Sequence, residues 1–117
     1  YTLKKLVYIC SPLRGDIERN IIKAQGYCRE AVELGVIPIA PHVYFTQFLN
    51  DLIPEERKIG MELGIELLKK CDEVWVYGIQ NPSEGMKAEI ELAKELGIPV
   101  RDAVEVYQSP PERWLAR

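Results

Sequence analysis

"CDEVWVYGIQNPSEGMKAEIELA", residues 71–93, holds one complete unit of the fold: an apolar run, a turn and a helix. "CDEVWVYG" (71–78) is rich in β-branched and aromatic residues, as a buried strand is. "GIQNPSEG" (78–85) then breaks the pattern with Asn-Pro and two glycines. From Ser83, placed to cap, apolar residues recur at about 100° per residue, the helical period. Met86, Ile90, Leu92, Ala93 and Leu96 share one face, and Lys87, Glu91, Lys94 and Glu95 the other. Glu89 falls in the middle of the apolar arc.

The same unit recurs on both sides of this stretch. Upstream, Lys5–Cys10 ("KLVYIC") reads as a strand ending in the turn "SPLRGD" (11–16). A helix follows from about Ile17 to Leu34, with inner stripe Ile21, Ala24, Cys28 and Ala31, Asp16 as cap and Gly35 as terminator. "VIPIAPH" (36–42) is a second strand, in which Pro38 and Pro41 suit a strand end or a sheet edge. After the aromatic-bearing connection "VYFTQFLNDLIPEERK", a second helix spans about Pro54 to Lys70. Downstream, Gly97 ends the quoted helix, "IPVRDA" (98–103) is a fourth strand, and "VEVYQ" (104–108) is a fifth or a continuation. "SPPERWLAR" closes the chain.

Alternating strands and helices predict a parallel sheet with right-handed crossovers and helices on both faces. The expected architecture is flavodoxin-like: a doubly wound α/β fold of three α/β/α layers, with strand order 2-1-3-4-5. Residues 1–117 are expected to form a single domain, with a core of about 4–103 and a C-terminal tail of 104–117.

Composition narrows the function. A chain of 117 residues, 47% hydrophobic and 28% charged, fits one globular core. A net charge of −3 argues against a nucleic-acid polymer as partner. No apolar run approaches the ~18 residues of a membrane span, and no signal-peptide pattern opens the chain. Three cysteines (Cys10, Cys28, Cys71) in apolar stretches read as buried thiols in a reducing compartment, so the expected location is cytoplasmic. With His42 as sole histidine and no cysteine pair at ligand spacing, neither a metal nor a cofactor is expected.

In doubly wound sheets ligands bind beyond the strand C-termini where the strand order reverses, here between the first and third strands. The loops leaving those strands are 11–16 and 78–85. The first offers Ser11, Arg14 and Gly15 ahead of a helix start, a set that suits a phosphate or carboxylate. The alternative is a turn shaped by Pro12 and Gly15, with Arg14 solvated. The second loop delivers Ser83, Gly85 and then Glu89. A carboxylate on a packed face needs a partner or a cavity. Either it pairs with Arg14, Arg57 or a lysine, or its helix face lines a pocket in which it acts as nucleophile or base. In the second helix Gly60 and Gly64 break an arc of Met61, Ile65, Leu67 and Leu68, which calls for close packing or room for a ligand. Arg57 lies on the same side. His42, with Tyr44 and Phe45 after it, falls at the cleft edge as a candidate pocket wall.

"YICSPLRG", "CDEVWVYG" and "SEGMKAEIELA" resemble the nucleoside 2-deoxyribosyltransferase superfamily, and more closely its small bacterial and phage relatives and its nucleoside-monophosphate N-glycosidase branch. The resemblance covers residues 4 to about 100. It implies that Glu89 attacks C1′ of a 2-deoxyribosyl group and expels the base. It also implies that Arg14, Gly15, Ser83 and Gly85, with the backbone of Ser11, hold a 5′-phosphate. The expected partner is a nucleoside or nucleotide, and the expected assembly a homodimer or larger, through the Gly60/Gly64 face or the "PPERWLAR" tail with Trp114 as anchor. One position departs from the family pattern: Gly64 stands where its better-known enzymes carry an aspartate, eight residues before Asp72. His42 and Tyr44 are the candidate substitutes as proton donor. The missing carboxylate favours a second reading, a nucleotide-binding or sensing module without turnover, and a third is a flavodoxin-like interaction domain in which Glu89 is merely paired.

Overall fold

The computed structural model describes residues 4–108. Its elements run β1 (Leu6–Cys10), α1 (Ile17–Glu33), β2 (Ile37–Ile39), α2 (Pro41–Tyr44), α3 (Pro54–Lys69), β3 (Glu73–Val76), α4 (Glu84–Glu95), β4 (Val100–Asp102) and α5 (Ala103–Gln108). The sheet is parallel throughout, in the order β2-β1-β3-β4. This is the expected flavodoxin-like arrangement with four strands rather than five.

Alternation along the two central strands builds the layers. Tyr8 and Cys10 of β1 and Val74 and Val76 of β3 face one side, where Leu68 of α3 and Met86 and Ala93 of α4 complete a buried cluster. Val7, Ile9, Trp75 and Tyr77 face the other, against Ala31 of α1 and Ala103 of α5. Each of these β1 and β3 residues therefore serves one core, and the full burial of Val7, Ile9, Cys10, Val74 and Val76 follows.

Three expectations change. "VEVYQ" is helix, not strand: α5 packs Val106 and Tyr107 onto the second cluster, so the residues after 103 begin as part of the core rather than as a tail. The second strand is shorter than 36–42, because Pro41 opens a helix whose first turn needs no N–H from it. His42 consequently sits on α2 rather than at a strand end. Pro38 does lie on the edge strand, where its missing donor costs no ladder bond on the open side. Trp114 and the rest of 109–117 lie outside the described residues.

At the end of the sheet opposite the strand C-termini, Glu73 is buried and accepts from Lys5 Nζ at 2.7 Å and Trp75 Nε1 at 3.0 Å, with Arg101 Nε also at 3.0 Å. Burial works against its charge, but these donors win and hold the carboxyl below the usual range. This charge cluster is structural.

Candidate active site

The cleft lies on the α3/α4 side of the sheet, lined by α2, α3, α4, Tyr8 of β1 and the loop that follows β1, and has a volume of about 610 Å³. Glu89 lines it. Ser83 starts α4 by accepting from Met86 N at 3.3 Å, and Glu89 follows between the buried Met86 and Ala93. Its Oε2 accepts from the Tyr8 hydroxyl, and Cys10 Sγ lies 3.6 Å from Oε1 as a second donor. Tyr8 and Cys10, two residues apart on β1, reach the same carboxylate because alternate strand residues share a face.

No cation pairs with Glu89 among the described residues. Burial is the dominant influence and raises its pKa from 4.5 to about 7, against the smaller lowering by the Tyr8 and Cys10 hydrogen bonds. Burial, then the Glu89 charge, pushes the Tyr8 and Cys10 pKa values upward, so both remain protonated donors. Nearby, Ser11 Oγ and His42 Nε2 are 2.9 Å apart. Burial lowers the His42 pKa to about 4, which keeps its imidazole neutral at physiological pH.

A family model described as "Domain of unknown function (DUF7768)" matches residues 5–103. The chain belongs to this family. No curated protein matches the DUF7768 chain. Among solved structures it is similar to the 2-deoxyribosyltransferase from the psychrotolerant bacterium Bacillus psychrosaccharolyticus. The identity is 20% and the TM-score 0.59, over 81% of this chain and 69% of that one. At that identity the likeness establishes a shared fold.

In the DUF7768 domain the residues singled out from sequence fall as follows. Ser11 and Arg14 from the first loop, Ser83 and Gly85 from the second, and Glu89 all line the cleft. His42 from α2 and Arg57 and Gly64 from α3 line it as well. Gly15 does not: it is exposed, with φ +103, a left-handed conformation that turns the chain into the Asp16 cap of α1. Tyr44 is also outside the lining; it is 58% exposed and packs on Phe45 and Phe48, and of the Tyr44–Phe45 pair Phe45 borders the cleft, as Tyr8 does from β1. The two α3 glycines are occupied within the chain. A Cβ at Gly64 would stand 3.5 Å from Pro41 Cβ and 3.8 Å from the Tyr8 hydroxyl, and one at Gly60 would stand 3.8 Å from Leu49.

Arg14 and Arg57 are not on Glu89 but on Asp51, at 3.3 and 3.8 Å. Sequence reading missed Asp51, Tyr8 and Cys10. For the last two a signal exists, since alternation in "KLVYIC" puts both on one face of the strand. Asp51 lies in an irregular connection and carries none. Among the described residues no group of three His, Cys, Asp or Glu side chains could hold a metal ion, and no helix is long and apolar enough to cross a membrane.

Proposed function

We propose that the DUF7768 chain cleaves or exchanges the N-glycosidic bond of a (deoxy)nucleoside 5′-monophosphate, with hydrolysis favoured over transfer. The observation that carries the reading is Glu89: a carboxylate in the cleft with no cation, served by two neutral donors. Its chemistry matches the retaining glycosidase pattern. The Glu89 carboxylate attacks C1′, and the C1′–N bond breaks with its electron pair passing to the base nitrogen, which takes up a proton. Water then adds at C1′, loses a proton and returns the free carboxylate; in the transfer variant a second base replaces water. Arg14, which faces Asp51 in the ligand-free chain, and the N-terminal turn of α4 at Ser83 and Gly85 are the groups that would meet the 5′-phosphate, and a phosphate held there against Asp51 positions the sugar. His42 is neutral, so it serves the leaving base as a hydrogen-bond partner rather than as a stored proton. The resemblance to the deoxyribosyltransferase superfamily points the same way.

The three free cysteines fit a reducing, cytoplasmic setting. The exposed Ile59 and Leu63, one turn apart on α3 and outside the cleft lining, fit a homodimer or larger assembly.

Free base released from a panel of nucleosides and their 5′-monophosphates, followed chromatographically, tests the reading. Release from at least one monophosphate is expected. Its kcat/KM should rise tenfold per pH unit below about 7 and level off above, because only ionised Glu89 attacks. A flat profile through pH 7 would reject Glu89 as the attacking group. One observation favours a second reading, nucleotide binding without turnover: Gly64 leaves no carboxyl on α3 beside Tyr8. Thermal stabilisation by a monophosphate with no base released is the outcome that selects it.

A further inference from the structure

Arg14 and Arg57 are the lysine or arginine side chains lining the cleft, and both already face a carboxylate of their own chain. Asp51 Oδ2 lies 3.3 Å from Arg14 Nε, and Oδ1 lies 3.8 Å from Arg57 Nε. Charge-assisted hydrogen bonds run at roughly 2.7–2.9 Å, so these are loose Coulombic contacts. The Asp51 side chain is only 14% exposed, and Oδ2 is buried without a hydrogen bond. An oxygen withdrawn from water and given no donor is held at a cost. Both arginines face it through Nε, which leaves their terminal guanidinium nitrogens available to a ligand.

The turn carrying Asp51 is fixed to the start of α3. Leu52 N donates to Asn50 Oδ1 and Ile53 N to Asn50 O, both at 3.0 Å, while Asn50 N donates to Glu56 Oε1, also at 3.0 Å. Asp51 and Arg57 therefore belong to one wall, and Arg14 comes from the other. Glu56 and Glu84 line the cleft too, so its acidic groups outnumber its two guanidiniums even before Glu89 ionises.

We propose that Asp51 is a specificity-determining residue: a resident counter-anion that stands where a ligand's phosphate would meet Arg14 and Arg57. It thereby sets the preference between phosphorylated and unphosphorylated nucleosides. The proposal rests on reading the cleft as a nucleoside or nucleotide site. A phosphate monoester must displace Asp51 or sit beside it, and like-charge repulsion weakens its binding in either case. A nucleoside with a free 5′-hydroxyl meets no such opposition. With Asp51 neutralised, both guanidiniums become available to the phosphate.

Titration calorimetry of wild type, Asp51→Asn and Asp51→Ala decides it, using inorganic phosphate, a deoxynucleoside 5′-monophosphate and the same deoxynucleoside. Both variants should bind phosphate and the monophosphate at least tenfold more tightly, about 1.4 kcal/mol, with the nucleoside Kd unchanged within about twofold. A purely structural role would weaken all three ligands together. Unchanged or weaker phosphate binding in variants that still unfold cooperatively would overturn the proposal. Base release separates the two readings. Tighter phosphate binding in Asp51→Asn, from a wild type that releases no base, keeps this proposal and rejects the glycosidase. Base release with no gain in phosphate affinity does the reverse.

Discussion

Glu89→Gln is expected to lose at least about a thousandfold in base release, about 4 kcal/mol of transition-state stabilisation, and yet to be the more stable protein at pH 8. The amide keeps the shape and can still accept from Tyr8, but it cannot form the glycosyl ester. The stability gain follows from linkage. Folding raises the Glu89 pKa from 4.5 to about 7, so the folded state binds the proton more tightly than the unfolded state. The stability owed to that proton is complete below about pH 4.5 and is lost as pH rises through 7. Over that window the loss is on the order of 3 kcal/mol, equivalent to on the order of 10 °C in melting temperature for a domain of this size. Glutamine does not titrate and avoids it. Thermal unfolding at pH 5 and pH 8 checks this: near-equal midpoints at the lower pH and a higher midpoint for the variant at the upper one. A variant less stable than wild type at pH 8 would mean that Glu89 is a satisfied structural carboxylate, not one held ready in a cleft.

Gly64→Asp is expected to slow base release at pH 7 by roughly tenfold by adding a like charge near Glu89. The Cβ it introduces meets Pro41 and the Tyr8 hydroxyl at ordinary contact distances, so the helix need not move. The new carboxyl then stands beside the hydroxyl that serves Glu89. Two carboxyls around one donor titrate as a pair, and the second ionisation is pushed up. The rising limb of the pH–rate profile should move upward from about 7, with the plateau reached only at higher pH. Faster release at pH 7 would instead identify the leaving base, starved of a proton donor by Gly64, as the limiting step.

The two central strands were legible because "KLVYIC" and "CDEVWVYG" are too apolar and β-branched to be anything but buried, and because Ser83 and Asp16 cap the helices that follow. Glu89 was legible for the opposite reason, as a polar residue out of place in an apolar arc. Failures came where two periods fit equally well. "VEVYQ" alternates as a strand does, but Ala103, Val106 and Tyr107 also fall at helical spacing, and five residues cannot separate the two. Tertiary contacts decide: Tyr107 bonds its hydroxyl to that of Tyr77 and sets its ring edge-on to Trp75. Pro41 was ambiguous in the same way, since proline suits both a strand end and a helix start. The Arg14–Asp51–Arg57 contact was out of reach, because it depends on how an irregular connection crosses from one wall of the cleft to the other.

The most direct measurement is the intact mass of wild-type protein quenched during turnover of a deoxynucleoside 5′-monophosphate. A covalent glycosyl ester predicts a species heavier by one deoxyribosyl-phosphate residue, localised by peptide mapping to Glu89 and absent from Glu89→Gln. Base release from wild type with no such species, continuing undiminished in Glu89→Gln, would contradict the account.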